Sequence, residues 1–393
     1  MTSLPPSTLS CRHFGSCGGC DRLDVPIERQ LADKQAHAAA LLAPFLDGLE
    51  PAVTLPPRAP RHDRIAILYP VQPHRHRHLQ LGIYRRGSHD LEEIADCRIQ
   101  MKALTTLGVR AGEVLRDLRL PAYDEGTGKG LVRAFRARVM PGSNELLLGC
   151  VVTTSTFSQR RDLCRELLAA AAGLRDEQGR ALRTVGVVLN VNDRPGNVLL
   201  GATSTALHGE PFQTDAIGDL RLRVSFASFY QLSRHSDAIL FRPALAMLGD
   251  VTGLRVVDGY GGIGSFGCRL LRAGAAQVTI VESSPQACAD ARVNLEANGL
   301  QGGEVREQPF GSAPLPEADL WLLDPPRAGL GEAGAGAVLA AAPPRVLLVS
   351  CALASLARDL ALLTPRYRVA ASRLCDLFPH TGHVEALTLL ERR

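Results

Sequence analysis

The stretch "RVVDGYGGIGSFG", Arg255 to Gly267, decides how the chain is read. An apolar run ends on an acid, Asp258, and Gly259, Gly261, Gly262 and Gly264 follow before a helical stretch begins. Glycines in that place permit a tight turn and let backbone N–H groups come close to a ligand. Dinucleotide-binding proteins and methyltransferases share such a loop, so it establishes a strand–loop–helix unit without choosing the ligand. About twenty residues on, "VTIVESSP" ends the next apolar run on Glu282, an acceptor placed for a ribose diol.

Outward from this unit, the runs "QVTIVES", "ADLWLLDPP", "RVLLVSC" and "HVEALTLLER" alternate with helical stretches. That alternation predicts an α/β fold, with a largely parallel, doubly wound, Rossmann-like sheet over residues 216–393. Residues 59–215 carry short β-type runs such as "LQLGIYR", "ELLLGCVVTT" and "TVGVVLNVND", with a helix near "RDLCRELLAAAAGL". They are expected to form a β-rich α+β domain. Residues 1–58 hold a cysteine group and then one helix, "IERQLADKQAHAAALLAPFL". The Pro-rich "PAVTLPPRAP" that comes next reads as a linker.

Two strand ends carry chemistry. In "DPPRAGL", Asp324 to Leu330, two prolines remove two backbone donors and stiffen the chain, which would fix Asp324 at the sheet edge. A rigid acidic strand end suits an enzyme that orients a planar base. In "SCALASLARDL", Ser350 to Leu360, an apolar run finishes on Cys351 and passes straight into a helix. Free cysteine is most often a small apolar packing residue, yet a strand end in an open α/β sheet is where ligands bind.

Composition narrows the class. A 393-residue chain is long enough for two or three domains, and 46% apolar with 21% charged residues is ordinary for a soluble protein. No apolar run approaches a membrane span, and "MTSLPPSTLSCRHFG" lacks a signal-peptide core, so a cytoplasmic protein without a membrane partner is expected. Ten cysteines in that compartment suggest thiols or metal ligands. Cys11, Cys17 and Cys20 form C-x5-C-x2-C, and Cys97 would add a fourth ligand; four thiolates suit a [4Fe-4S] cluster or a structural zinc, and spacing does not choose. Cys150, Cys164, Cys268, Cys288 and Cys375 read as packing residues. From Arg58 to His89, seven arginines and five histidines face one acid, Asp63, which makes a basic run able to hold a polyanion. "HRHRH", His74 to His78, reads as its exposed, RNA-facing part.

"DPPRAGL", "SCALASLARDL" and "FPHTGHVEALTLL", in that order, resemble the C-terminal signatures of the RNA (uracil-5-)-methyltransferases that use S-adenosyl-L-methionine. "CRHFGSCGGC" is similar to that family's iron–sulfur segment, "SFASFYQLSRHSDAIL" to its phenylalanine–glutamine motif and "DGYGGIGSFG" to its glycine loop. The resemblance implies a class I methyltransferase domain, with Gln231, Tyr260, Glu282 and Asp324 as cofactor contacts and Cys11, Cys17, Cys20 and Cys97 as cluster ligands. It also implies Cys351 as nucleophile and Glu385 as base. The chemistry agrees: carbon 5 of uracil is a poor nucleophile until a thiolate adds to carbon 6, and a base must later remove the carbon 5 proton. If "HVEA" begins a strand, His383 shares a face with Glu385 and could orient it.

The sequence departs from the family pattern at Ser233, Gly261, Ala352–Leu353 and His380. The small N-terminal RNA-binding barrel frequent in the family is expected to be missing, since the cysteines begin at Cys11, and RNA contact is then expected from the central domain and the basic run. The expected product is 5-methyluridine in structured RNA, 23S rRNA before transfer RNA, made by a monomer. Two rivals are an amino-group methyltransferase, which needs no thiol, and a non-catalytic RNA-binding homologue.

Overall fold

The computed structural model describes residues 8–48, 51–54 and 61–393. Part of the expected linker and Arg58 of the basic run lie outside the described residues. Helix α1 (Ile27–Leu42) leads to a short strand β1 (Ala52–Thr54). Then come β2 (Ala66–His74), β3 (His78–Leu81), β4 (Ile83–Tyr84), β5 (Leu91–Glu92), α2 (Lys102–Asp117), β6 (Val132–Met140), β7 (Glu145–Val152), α3 (Arg160–Ala171), β8 (Arg183–Val191) and β9 (Thr203–Gly209). Six of these strands form a mixed sheet in the order β3-β2-β6-β7-β8-β9. Helix α2 covers it with Leu104, Leu107, Ala111 and Leu115, spaced one or two turns apart so that a single stripe is apolar. Helix α3 is the one expected near "RDLCRELLAAAAGL", whereas α2 has no counterpart among the expected elements. A hairpin, β10 (Phe212–Ile217) and β11 (Leu220–Ser225), follows.

One turn of π-helix, Asp237–Phe241, runs into α4 (Arg242–Leu248) and opens the last part of the chain. Its elements are β12 (Arg255–Gly259), α5 (Ser265–Arg272), β13 (Gln277–Glu282), α6 (Pro285–Ala297), β14 (Gly303–Glu307), β15 (Leu320–Leu323), α7 (Gly331–Ala341), β16 (Arg345–Ser350), α8 (Leu353–Leu363), β17 (Tyr367–Cys375) and β18 (Glu385–Arg392). Their sheet runs β14-β13-β12-β15-β16-β18-β17-β1. Strands β12 to β16 are parallel, and β18 inserts antiparallel between β16 and β17. The expected α/β, Rossmann-like architecture is therefore observed. Strands such as Arg345–Ser350 are apolar almost throughout because helices cover both faces; α8 buries Leu353, Leu356, Leu360 and Leu363 on one of them.

Two features of this order place the site. The chain reaches the β14 edge and returns to β15 beside β12, so a topological switch point lies between β12 and β15, where open α/β sheets bind ligands. Because β18 is antiparallel, its first residue sits at the same edge as the last residues of β12, β15 and β16. The pairing of Ser350 with Ala386 puts Glu385 next to Cys351. The N-terminal segment joins this half of the molecule: β1 pairs in parallel with β17, and α1 packs on α8.

Candidate active site

The glycine loop after β12 is shaped by contact. Gly264 adopts φ 81° as it caps α5, a conformation that favours glycine. A Cβ on Gly261 would lie 2.6 Å from Ile280 Cγ2, so the loop backbone can hug the sheet only without a side chain there. That packing accounts for glycine at one of the positions that depart from the family pattern. Asp258 is fully buried; its Oδ2 accepts from the Gly267 N–H at 2.8 Å, while Oδ1 has no partner. Burial pushes its carboxyl up to about 8, with the charges of Asp324 and Glu282 adding to the effect.

Glu282 ends β13 and braces the same loop. Its Oε2 accepts from Gly262 N–H at 3.1 Å and its Oε1 from Ser284 N–H at 2.7 Å. Tyr260, at φ 59°, packs its ring 4.9 Å from that of Phe310, whose edge in turn meets Trp321. Gln231 is buried in the link between β11 and α4, a link held to the central sheet by Ile65 N–H donating to Leu232 O at 2.9 Å. The Ser233 hydroxyl accepts from His235 N–H at 3.1 Å within that link.

Asp324 follows β15 and joins the glycine loop to the thiol. Desolvation pushes its carboxyl up to about 7. Its charge acts on Asp258 on one side and on Glu385 and Cys351 on the other. Cys351 is half-buried at the end of β16, and desolvation raises its thiol, with Glu385 and Asp324 adding and Arg327 opposing. Glu385 is buried, its Oε2 has no hydrogen-bond partner, and burial pushes it up to about 8; Asp324 adds and Arg327 opposes. The structure thus brings Asp258, Glu282, Asp324, Cys351 and Glu385 to one sheet edge, with Tyr260 packed beside the loop and Gln231 at the seam between the sheets.

Arg327, in the DPPR turn, is exposed and acts electrostatically on both Cys351 and Glu385. It stands directly after the two prolines of "DPPRAGL". His383 is placed differently from expectation. Strand β18 begins at Glu385 itself, so residues 383 and 384 do not extend it, and His383 is exposed with its ring edge toward Phe378.

At the other end of the chain, Cys11, Cys17, Cys20 and Cys97 line a single cavity with Arg64 and Phe14, and all four are free thiols. The Cys17 sulfur accepts from Gly19 N–H at 3.3 Å, and the Cys97 sulfur from Ile99 and Gln100 N–H at 3.4 Å each. Burial raises the Cys17, Cys20 and Cys97 thiols, and the N–H···S bonds and the Arg64 charge work against that rise. Among the described residues, no group of three or more His, Cys, Asp or Glu is arranged to hold a metal ion. Nor is any helix among them long and apolar enough to cross a membrane. In the basic run, Arg75, His76, Arg77 and His78 are exposed at the β2–β3 turn, whereas Arg64 turns inward to the cysteines.

Comparison with known proteins agrees with this arrangement. The family described as tRNA (Uracil-5-)-methyltransferase matches residues 317–393, which contain Asp324, Cys351 and Glu385. An uncharacterized RNA methyltransferase of Halalkalibacterium halodurans is 30% identical over 392 residues, covering 97% of this chain and 82% of the relative. The chain belongs to the RNA (uracil-5-)-methyltransferase family. It is an S-adenosylmethionine-dependent RNA methyltransferase, and a 28% identical relative from Leptospira interrogans matches over 99% of this chain and 100% of its own length. A solved structure, the Pyrococcus abyssi tRNA (uracil-54, C5)-methyltransferase with S-adenosyl-L-homocysteine, superimposes with a TM-score of 0.76 at 22% identity, over 99% of this chain and 87% of that one. The methyltransferase fold accordingly extends through the central sheet and the N-terminal segment as well as the parallel sheet.

Proposed function

We propose that this methyltransferase makes 5-methyluridine through a covalent adduct of Cys351 with carbon 6 of a uridine, and that Glu385 removes the carbon 5 proton. The carrying observation is the thiol beside a buried carboxylate whose Oε2 lacks a partner, at the carboxyl edge of the sheet. The Cys351 sulfur adds to carbon 6 and the electron pair of the 5,6 double bond moves into an enolate, which makes carbon 5 nucleophilic. S-adenosylmethionine, when bound, supplies the electrophilic methyl group that carbon 5 takes. Glu385 then accepts the carbon 5 proton, the double bond re-forms and the thiolate leaves. Arg327 favours the thiolate and the ionised carboxylate alike, and a buried acid with a raised pKa is a strong base once ionised.

Gln231, Tyr260, Glu282 and Asp324 are the proposed cofactor contacts. Support comes from the unpartnered Asp258 Oδ1 and the close glycine loop, which together offer a polar cradle. Glu282→Ala is expected to weaken S-adenosylmethionine binding by about 10- to 100-fold, the worth of a charged hydrogen bond, in titration calorimetry without RNA. An unchanged affinity counts against the assignment.

The four cysteines are proposed to hold a [4Fe-4S] cluster that is structural, with zinc as the lesser reading; the donor set and the N–H···S bonds support a thiolate-ligated group. Protein purified without oxygen is expected to carry about four iron and four sulfide per chain and to lose both in Cys97→Ala. Stoichiometric zinc without iron would refute the cluster.

For the substrate, we propose a uridine in 23S rRNA bound by a monomer. A transfer RNA is the second reading, favoured by what the Pyrococcus abyssi structure is described as acting on. Methylation of both RNAs with labelled S-adenosylmethionine, followed by nucleoside analysis, tests the reaction and the substrate together. Label in 5-methyluridine from rRNA alone is the expected result, and label in an adenine or guanine amino group would overturn the reading.

A further inference from the structure

The loop 376–384 that delivers Glu385 is held mainly by residues from the other end of the chain. It joins β17 to β18, and Glu385 sits opposite Cys375 where the two strands begin to pair. Within the loop, Leu377 N–H donates to Cys375 O at 3.0 Å and the Thr381 hydroxyl to Phe378 O at 2.7 Å. The outside contacts are more numerous. Lys34 Nζ donates to Asp376 Oδ1 at 2.7 Å and to Phe378 O at 3.0 Å. Gln30 Oε1 accepts from His380 N–H at 2.7 Å, and the Asp21 and Arg22 N–H groups donate to His380 O at 3.2 and 3.1 Å. Gly382 N–H donates to Asp21 Oδ1 at 3.1 Å.

Helix α1 is unusual in a way that fits. Its buried stripe is Gln30, Lys34, Ala38 and Leu42, so the two positions toward its N-terminus bury an amide and an ammonium where apolar side chains are the norm. Lys34 is 3% exposed and Asp376 2%. A buried ion pair is weak evidence for stability, because desolvation offsets much of the attraction; fixing one geometry is a better-attested use. His380, 1% exposed and at φ 64°, holds a conformation that a non-glycine residue adopts only when its surroundings enforce it. His380, one of the positions that depart from the family pattern, is therefore the residue the N-terminal segment grips.

We propose that Asp21, Gln30 and Lys34 are positioning residues for the proton-abstraction step, fixing Glu385 by clamping residues 376–382. The inference rests on Glu385 being the base. A clamp that merely stabilised the fold would slow formation and resolution of the covalent adduct together. A clamp that positions the base slows resolution selectively.

The test uses the full chain and the RNA it methylates, with Asp21→Ala, Gln30→Ala and Glu385→Gln compared in single turnovers. Covalent RNA–protein complex is read on denaturing gels, and methyl transfer by label. In Asp21→Ala and Gln30→Ala, methyl transfer is expected to stay within about threefold of wild type while release of RNA slows about 10- to 100-fold, the scale of a catalytic group misplaced by about 1 Å. Asp21→Asn, which keeps the acceptor for Gly382, should release RNA as wild type does. Asp21 is exposed, so Asp21→Ala reads the clamp even if Gln30→Ala folds poorly. Trapping in Glu385→Gln with none in Asp21→Ala or Gln30→Ala, or equal slowing of both steps, overturns the clamp alone. Absence of trapping in Glu385→Gln overturns the proposed base and takes the clamp with it.

Discussion

Glu385→Gln is expected to halt the reaction after methyl transfer, leaving methylated RNA covalently attached to the protein and lowering multiple turnover by about 10²- to 10⁴-fold. Glutamine keeps the shape of the buried side chain but cannot take a proton, so the thiol cannot be expelled. The pH dependence follows from the same carboxylate. Burial pushes Glu385 up to about 8, so in the free enzyme at neutral pH it is largely protonated. Release of RNA from wild type should rise with pH through that range and level off above it. Because Asp324, raised to about 7, interacts with Glu385, the profile reports the pair. Glu385→Gln should lack this limb.

Stability carries the opposite sign. A carboxyl whose folded pKa exceeds its unfolded value binds the proton more tightly in the native state. Stability is then lost as pH rises from about 4.5 toward about 8. The loss is bounded by about 5 kcal/mol at 1.36 kcal/mol per pKa unit. Glu385→Gln should accordingly raise the melting temperature at pH 9 more than at pH 4. An equal shift at both values would contradict the buried, raised carboxyl.

Cys351→Ala is expected to remove the adduct and to lower turnover by about 10⁴-fold or more, the scale seen when a nucleophile is deleted. RNA affinity should change little, because the thiol is one half-buried group at a strand end. Burial raises the thiol, the charges of Glu385 and Asp324 add to this when those groups are ionised, and Arg327 opposes them. A binding measurement beside the rate separates lost chemistry from lost fold. Residual methylation near the wild-type rate would remove the thiol from the mechanism.

The parallel sheet was legible in the sequence because its strands are covered on both faces and read as unbroken apolar runs, each ending on a chemical residue: Asp258, Glu282, Asp324 and Cys351. Sequence also brought out Glu385, through the "HVEA" motif, although nothing local says that β18 runs backward between β16 and β17. Helix α2 was harder, since threonines and glycines dilute its apolar stripe. The β14 strand "GEVRE" and β1 "AVT" are short edge strands with little apolar pattern to read. The clamp of Asp21, Gln30 and Lys34 on residues 376–382 was invisible because it joins polar residues more than 340 positions apart, as the 342-residue separation of Lys34 and Asp376 shows. His383 does not share the strand with Glu385, because β18 starts two residues after it.

The central claim is that Cys351 forms a covalent bond to the target base. The direct measurement is mass spectrometry of the protein after incubation with S-adenosylmethionine and RNA in which uridine is replaced by 5-fluorouridine, whose carbon 5 carries no proton to remove. The account predicts a methylated nucleotide fixed to the peptide that contains Cys351, and none in Cys351→Ala. Methylation of normal RNA by a wild-type protein that forms no adduct, or an adduct on another residue, would contradict it.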